Sequence, residues 1–399
     1  MIRNAIVLVA ALTASAEPIA GDAPAGANPI TLDAPAGANP ITLDAPAGAN
    51  PITLDAPAGA NPITLDAPAG ASAHVERRLA AMGTSLEVVV EAGTRESALL
   101  ASEAAVRAIE AAEARLSTWR RDTELARLNA NPAGEPFRLS PELARDLERA
   151  RALWRETNGA FDPGVGALVD AWGVREGGRR PDPSTVARLR DVGGLAALEL
   201  HDGVAVRRSA ELRIEEGAFG KGIALDDAVS ALRAAGATRA LLDFGGKVAV
   251  LGAEAAAFPV GVADPRDRSR MLATARLESG SLATSGDSER GLRVDGKPCS
   301  HILDPHTGAP VRSFGSMTVW ASDATTADAL ATGLYVFGPD AALAFAHARP
   351  GIEVLVIEAD GARRRLRATP GLVARLEPRE SGVVIEAATP PSLAGPASR

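Results

Sequence analysis

The chain holds a single cysteine, Cys299, among its 399 residues. An internal disulfide is therefore excluded, and so is a zinc site built from several thiolates. Aromatic residues make up only 3%, with one tyrosine and four tryptophans, so each can be weighed singly. Positive charge is also short: 42 Lys and Arg stand against 50 Asp and Glu, a net charge of −8. Phosphate backbones reward clustered Lys and Arg, so no nucleic-acid partner is expected. Long apolar runs are missing as well. The run at residues 5–12 is too short to cross a bilayer, and no transmembrane span is expected in the mature chain. What remains, 46% hydrophobic and 23% charged residues, suits a soluble globular protein.

Residues 1–16 have a basic start at Arg3, the apolar run, and the step Ala14-Ser15-Ala16. This is the layout of a secretory signal, with a disordered apolar terminus as the alternative. No cysteine follows the run to carry a lipid. Export to a bacterial periplasm is the expectation. An 11-residue unit, DAPAGANPITL, then starts at Asp22, Asp33, Asp44 and Asp55, with a partial copy from Asp66. Two prolines per copy oppose helix and sheet ladders, and only Ile and Leu are bulky. Residues 17–72 therefore read as an extended, disordered spacer rather than a solenoid. One carboxylate per copy is weak support for calcium binding.

From His74 the texture changes, and residues 73–380 read as one body. Residues 86–90 (LEVVV) read as a strand after the turn Met82-Gly83-Thr84. Apolar residues at helical spacing predict helices over 96–116 and 141–157. Residues 212–214, 248–251, 260–262, 317–320 and 352–357 read as strands, with a helix over 223–234 and the segment 241–247 leading into the strand at 248. The tail, residues 381–399, is rich in Ala and Pro and reads as disordered. Periodicity supports mixed helices and strands and no finer fold class.

The stretch 281–310 concentrates the chemically capable side chains: a Thr284-Ser285-Gly286-Asp287 turn, then Ser300-His301-Ile302-Leu303-Asp304-Pro305, then a Thr307-Gly308 turn. Hydroxyls, an imidazole, carboxylates and backbone N–H groups are what a phosphate and magnesium site needs. A polar hairpin with a surface histidine is the alternative. In 323–334, a helix would set Asp328 and Thr332 one turn apart on one face, where both reach one hard cation. The alternative is an acidic cap with Thr332 bonding back to the backbone. Gly220-Lys221-Gly222 at a helix start lets backbone approach a phosphate, but it lacks Walker A spacing. Trp154 reads as core. Trp119 sits in a polar break, where core packing competes with stacking on a planar ligand.

Taken together, Met82-Gly83-Thr84, Ser117-Thr118-Trp119, Phe161-Asp162-Pro163, Gly217-Ala218 with Lys221-Gly222, Gly245-Gly246, Thr284-Ser285-Gly286-Asp287, His301-Ile302-Leu303-Asp304-Pro305, and Asp328 with Thr332 resemble, in this order, the FAD:protein FMN transferase (ApbE-type) family. The resemblance spans roughly residues 82–357. It implies a single α+β catalytic body of two interlocked α/β layers. It also implies Mg²⁺-dependent transfer of FMN from FAD to a threonine hydroxyl of an acceptor protein, with release of AMP. By the same resemblance, Met82, Trp119, Ala160, Phe161, Asp162, Glu215, Lys221 and Ile302 border FAD. The Ala218 carbonyl, Asp328 and Thr332 hold magnesium, and His301 assists proton transfer. Glu215 stands where the family usually has Asp, and Lys247 where an acidic residue is commoner. An FAD pyrophosphatase with water as nucleophile and a non-catalytic flavin binder remain as alternatives.

Overall fold

The first strands of the body, β1 (Ala73–Ala81) and β2 (Thr84–Ala92), are joined by the predicted turn, where Met82 and Gly83 both take positive φ. The structure, a computed structural model, describes residues 39–41, 54–56, 73–252, 257–286, 292–361 and 363–389. The proposed signal segment, most of the spacer, Asp287 and the end of the tail lie outside the described residues. Within the repeats, Asn39–Ile41 pairs antiparallel with Leu54–Ala56.

Seven further strands extend the sheet: β3 (Arg239–Phe244), β4 (Lys247–Leu251), β5 (Gly280–Gly286), β6 (Gly315–Ala321), β7 (Glu353–Asp360), β8 (Arg363–Ala368) and β9 (Ile385–Ala387). Their spatial order is their sequence order, each antiparallel to the next except the parallel pair β8–β9. Three expectations are corrected here. Thr284 to Gly286 is strand, not turn, because the segment continues β5 and pairs with Thr318 to Ser316 on β6. Residues 385–387, expected within a disordered tail, form an edge strand because Val383 and Ile385 pack onto the apolar face beside them. Residues 212–214 form no strand: Leu212 and Ile214 are buried, and the backbone of Ile214 is tied instead to the Asn129 side chain.

Strand alternation sends side chains to two faces. Leu86, Val88, Val90, Leu242 and Ala249 face one side, against α1 (Arg95–Leu116) and α3 (Gly220–Ala234). Val89, Leu241, Val248, Leu282, Leu355 and Ile357 face the other, under a small sheet of Phe258–Asp264, Asp267–Leu277 and Leu376–Pro378. The helical face continues with α2 (Pro141–Glu156) and α4 (Ala324–Phe337). Helices therefore cover one side of the sheet and strands the other, an α+β body as expected. Almost every residue of α4 from Ala327 to Tyr335 is buried, which fits its nearly unbroken apolar composition. The stretch after β5 leaves the sheet as two hairpins, Leu292–Val294 with Lys297–Cys299 and Leu303–Asp304 with Ala309–Pro310. Leu292, Val294 and Leu303 pack with Leu168 and Trp172 in a side cluster.

Candidate active site

A charged residue inside a buried apolar helix needs a reason, and α4 carries one at Asp328, which is 1% exposed. Asp323 caps the start of this helix by accepting from the Thr326 N–H (2.7 Å), so the acidic cap is a different residue from Asp328. Asp226, on α3, also holds that end, accepting from the Ala324 and Thr325 N–H groups at 2.7 and 3.0 Å. Burial pushes the Asp226 carboxyl up, against these hydrogen bonds and the pull of Arg149. The two helices touch closely at Gly222, where a Cβ would stand 2.5 Å from the Ala324 carbonyl oxygen.

That contact delivers the Gly222 N–H to Asp328 Oδ2 at 3.0 Å. Asp328 Oδ1 is buried and accepts no hydrogen bond; the Lys247 ammonium stands 3.8 Å from it. One turn along, the Thr332 hydroxyl lies 3.2 Å from Ser285 Oγ on β5 and 3.5 Å from the Asp328 carbonyl oxygen. Asp328 and Thr332 thus share a face, as the helical spacing predicts. The back-bond of Thr332 is present too, but its length is at the limit of a hydrogen bond. Ser285 joins the group from across the sheet. Among the described residues, no three His, Cys, Asp or Glu stand together. A cation here would rest on one carboxylate, a hydroxyl, a peptide carbonyl and oxygens of a substrate, a set that suits Mg²⁺. The orphaned Oδ1 fits that use.

The segment 215–222 leads from this centre to an arginine-lined cleft of about 460 Å³, bordered by Thr118, Arg120, Arg121, Arg175, Arg213 and Glu215. Ala218 lies on the segment's 3₁₀ turn, Glu216–Ala218, and Lys221 in the first turn of α3. The Met82 methyl lies 3.4 Å from where a Cβ on Gly220 would be. Trp119 is 60% exposed, so the core expectation fails: the Ser117–Thr123 break carries it outward. Arg175 lies over its ring, 4.4 Å from the centroid, and pairs with Glu215. The same guanidinium donates to the Thr118 hydroxyl at 2.6 Å, and Thr118 donates to buried Glu216. No local signal in the sequence marks Arg175.

Ala160 and Phe161 are buried, with Phe161 edge-on to Phe219 at 6.3 Å. Gly333 on α4 makes room for them, since a Cβ there would stand 2.9 Å from the Phe161 Cβ. The Asp162 carboxylate accepts from Gly164 N–H (2.7 Å), Leu195 N–H (2.9 Å) and Trp154 Nε1 (3.1 Å). Burial nevertheless pushes its pKa up to about 6. Trp154 is half-buried and packs against the core, as expected, with its ring N–H donating to this carboxylate. His301 is half-buried between the two hairpins, followed by buried Ile302, whose N–H donates to Ser300 Oγ at 3.1 Å.

Residues 82–356 match the model of the ApbE family. The chain belongs to the ApbE family. A relative from Treponema pallidum, an FAD:protein FMN transferase, is 32% identical over 291 residues, covering 68% of this chain and 80% of its own. An FAD:protein FMN transferase from Rhodobacter capsulatus is 36% identical over 267 residues, covering 65% of this chain and 50% of its own. Among solved structures, the ApbE protein of Thermotoga maritima superposes with a TM-score of 0.70 at 29% identity, covering 77% of this chain and all of that one. The match begins at Met82, which leaves the repeats outside it.

Proposed function

We propose that this ApbE-family chain is an FAD:protein FMN transferase that uses Mg²⁺ to link FMN, through its phosphate, to a threonine hydroxyl of an acceptor protein, releasing AMP. The observation that carries the reading is Asp328: a buried carboxylate whose Oδ1 accepts no hydrogen bond, one helical turn from the Thr332 hydroxyl. Asp328, Thr332 and the Ala218 carbonyl would hold the cation. Bound there, Mg²⁺ would neutralise charge on the FAD diphosphate, the main obstacle to an incoming hydroxyl. Gly222 fixes the Asp328 carboxylate by its N–H, and Ser285 orients the Thr332 hydroxyl.

His301 takes the proton of the acceptor threonine as its Oγ attacks the FMN phosphorus and the bond from that phosphorus to the AMP oxygen breaks. A neutral imidazole accepts such a proton on a ring nitrogen. Trp119, Glu215 and Lys221, together with Met82, Ala160, Phe161, Asp162 and Ile302, would position the dinucleotide. Among the described residues no helix is long and apolar enough to cross a membrane. With residues 1–16 as an export signal, the periplasm is the proposed compartment.

The test incubates the full chain with FAD, Mg²⁺ and an acceptor protein and reads the acceptor by mass spectrometry. An FMN adduct on threonine is expected. Asp328→Asn should slow its formation by about 10²–10³-fold, the scale of losing a principal electrostatic group. An unchanged rate in that variant would remove the metal centre. FMN and AMP release that is the same without acceptor would point to hydrolysis instead.

A further inference from the structure

Among the described residues, Lys247 is the cation that stands beside Asp328, and its charge opposes that of the proposed metal ion. It opens β4 directly after the Gly245-Gly246 turn, and only 4% of it is exposed. Its ammonium donates to the Thr284 carbonyl oxygen on β5 at 2.5 Å and stands 3.8 Å from Asp328 Oδ1. The pairing crosses from sheet to helix, joining residues 247, 284 and 328. Asp243, at the other side of the same turn, accepts from the Gly246 N–H at 3.1 Å and also feels the Lys247 charge. Without a divalent ion, a buried carboxylate such as Asp328 needs a counter-charge, and Lys247 is the cation that supplies it.

We propose that Lys247 is a resident counter-ion of the metal centre, competing with the divalent cation for Asp328 Oδ1. The inference rests on the metal reading of Asp328 given above. A cation coordinated at Oδ1 and an ammonium within ion-pairing distance of the same oxygen repel each other in a site with little water to screen them. Divalent binding therefore displaces the ammonium from Asp328, and its affinity is lowered by that displacement. The Thr284 carbonyl, which already accepts from Lys247, keeps hold of the ammonium once it has left Asp328. The centre is then weak for a bare ion and strengthened when the anionic diphosphate of the substrate adds its own oxygens.

The experiment titrates the full chain, without FAD, with Mn²⁺ as a spectroscopic stand-in for Mg²⁺. Free Mn²⁺ is read by electron paramagnetic resonance, so no turnover is involved. Lys247→Gln, which can still donate to the Thr284 carbonyl, should bind Mn²⁺ about tenfold or more tightly than the unaltered chain, since a charge has been removed from beside the ligand. Lys247→Arg should stay near the unaltered affinity. Lys247→Met, of similar length, serves if the Gln variant does not fold, with the same outcome expected. Asp328→Asn should abolish binding in every background. Equal or weaker Mn²⁺ binding in the neutral variants, with Asp328 still required, overturns the counter-ion role and leaves the metal reading standing. Undiminished binding in Asp328→Asn overturns the metal reading itself.

Discussion

Asp162 shows how far a single side chain departs from its isolated behaviour. Two N–H groups and the Trp154 indole donate to it, which favours the charged form, yet burial prevails and its pKa rises from 3.8 to about 6. A carboxyl whose folded pKa lies above its unfolded value binds more protons folded than unfolded between those two values. Its contribution to stability is therefore greatest below the unfolded pKa and falls as pH rises toward about 6. In Asp162→Asn that slope should vanish, so denaturation midpoints measured from pH 4 to pH 6.5 should fall less with rising pH than in the unaltered chain. An identical slope in both proteins would assign the effect to another group. From the sequence, Asp162 was legible as part of a Phe-Asp-Pro motif. Its partners were not, since Leu195 lies 33 positions away and only the folded loop brings it close. The same holds for Arg175, which reaches Thr118 across 57 positions. Asp328 and Thr332 were legible because one helical turn relates them and no long-range contact is needed.

At the scale of elements, the proposed metal centre depends on how near α3 and α4 approach. A side chain at Gly222 would collide with backbone, the Ala324 carbonyl and the Thr325 Cα at 2.5 and 2.7 Å, so no rotamer relieves it. Gly222→Ala should push the helices apart, lengthen the hydrogen bond to Asp328, and destabilise the fold by about 1–3 kcal/mol as overpacking does. Calorimetric Tm and Mn²⁺ affinity should fall together. A variant with unaltered Tm and unaltered affinity would show that the contact is looser than the geometry requires. The elements themselves were largely legible. Helices predicted over 96–116, 141–157 and 223–234 are found at Arg95–Leu116, Pro141–Glu156 and Gly220–Ala234. Their ends follow local chemistry, such as Thr94 and Ser140 accepting from the Ser97 and Leu143 N–H groups. The 284–286 segment misled because Thr, Ser and Gly suit turns, and only its pairing with β6 makes it a strand. Its strand geometry is what aims Ser285 at Thr332.

At the scale of the whole molecule, the described residues that form the apolar clusters and the proposed site come after the repeats. Among the described residues, the four apolar clusters draw on nothing before Val75, and the family match begins at Met82. Removing residues 22–65 therefore takes away none of these cluster residues and no proposed ligand of FAD or metal. With a soluble acceptor fragment, the shortened chain should form the FMN adduct at a rate within about twofold of the full chain, since surface and tether changes rarely disturb a core. A spacer acts on encounter rather than on chemistry, through the effective concentration that its length allows. The two contributions separate when the acceptor is held in lipid vesicles and the enzyme is attached to the same surface through its N-terminus. There the shortened chain should lose rate against the full chain while matching it in solution. Equal loss with both acceptors would mean that the repeats take part in the reaction, and equal retention with both would mean that they set no reach.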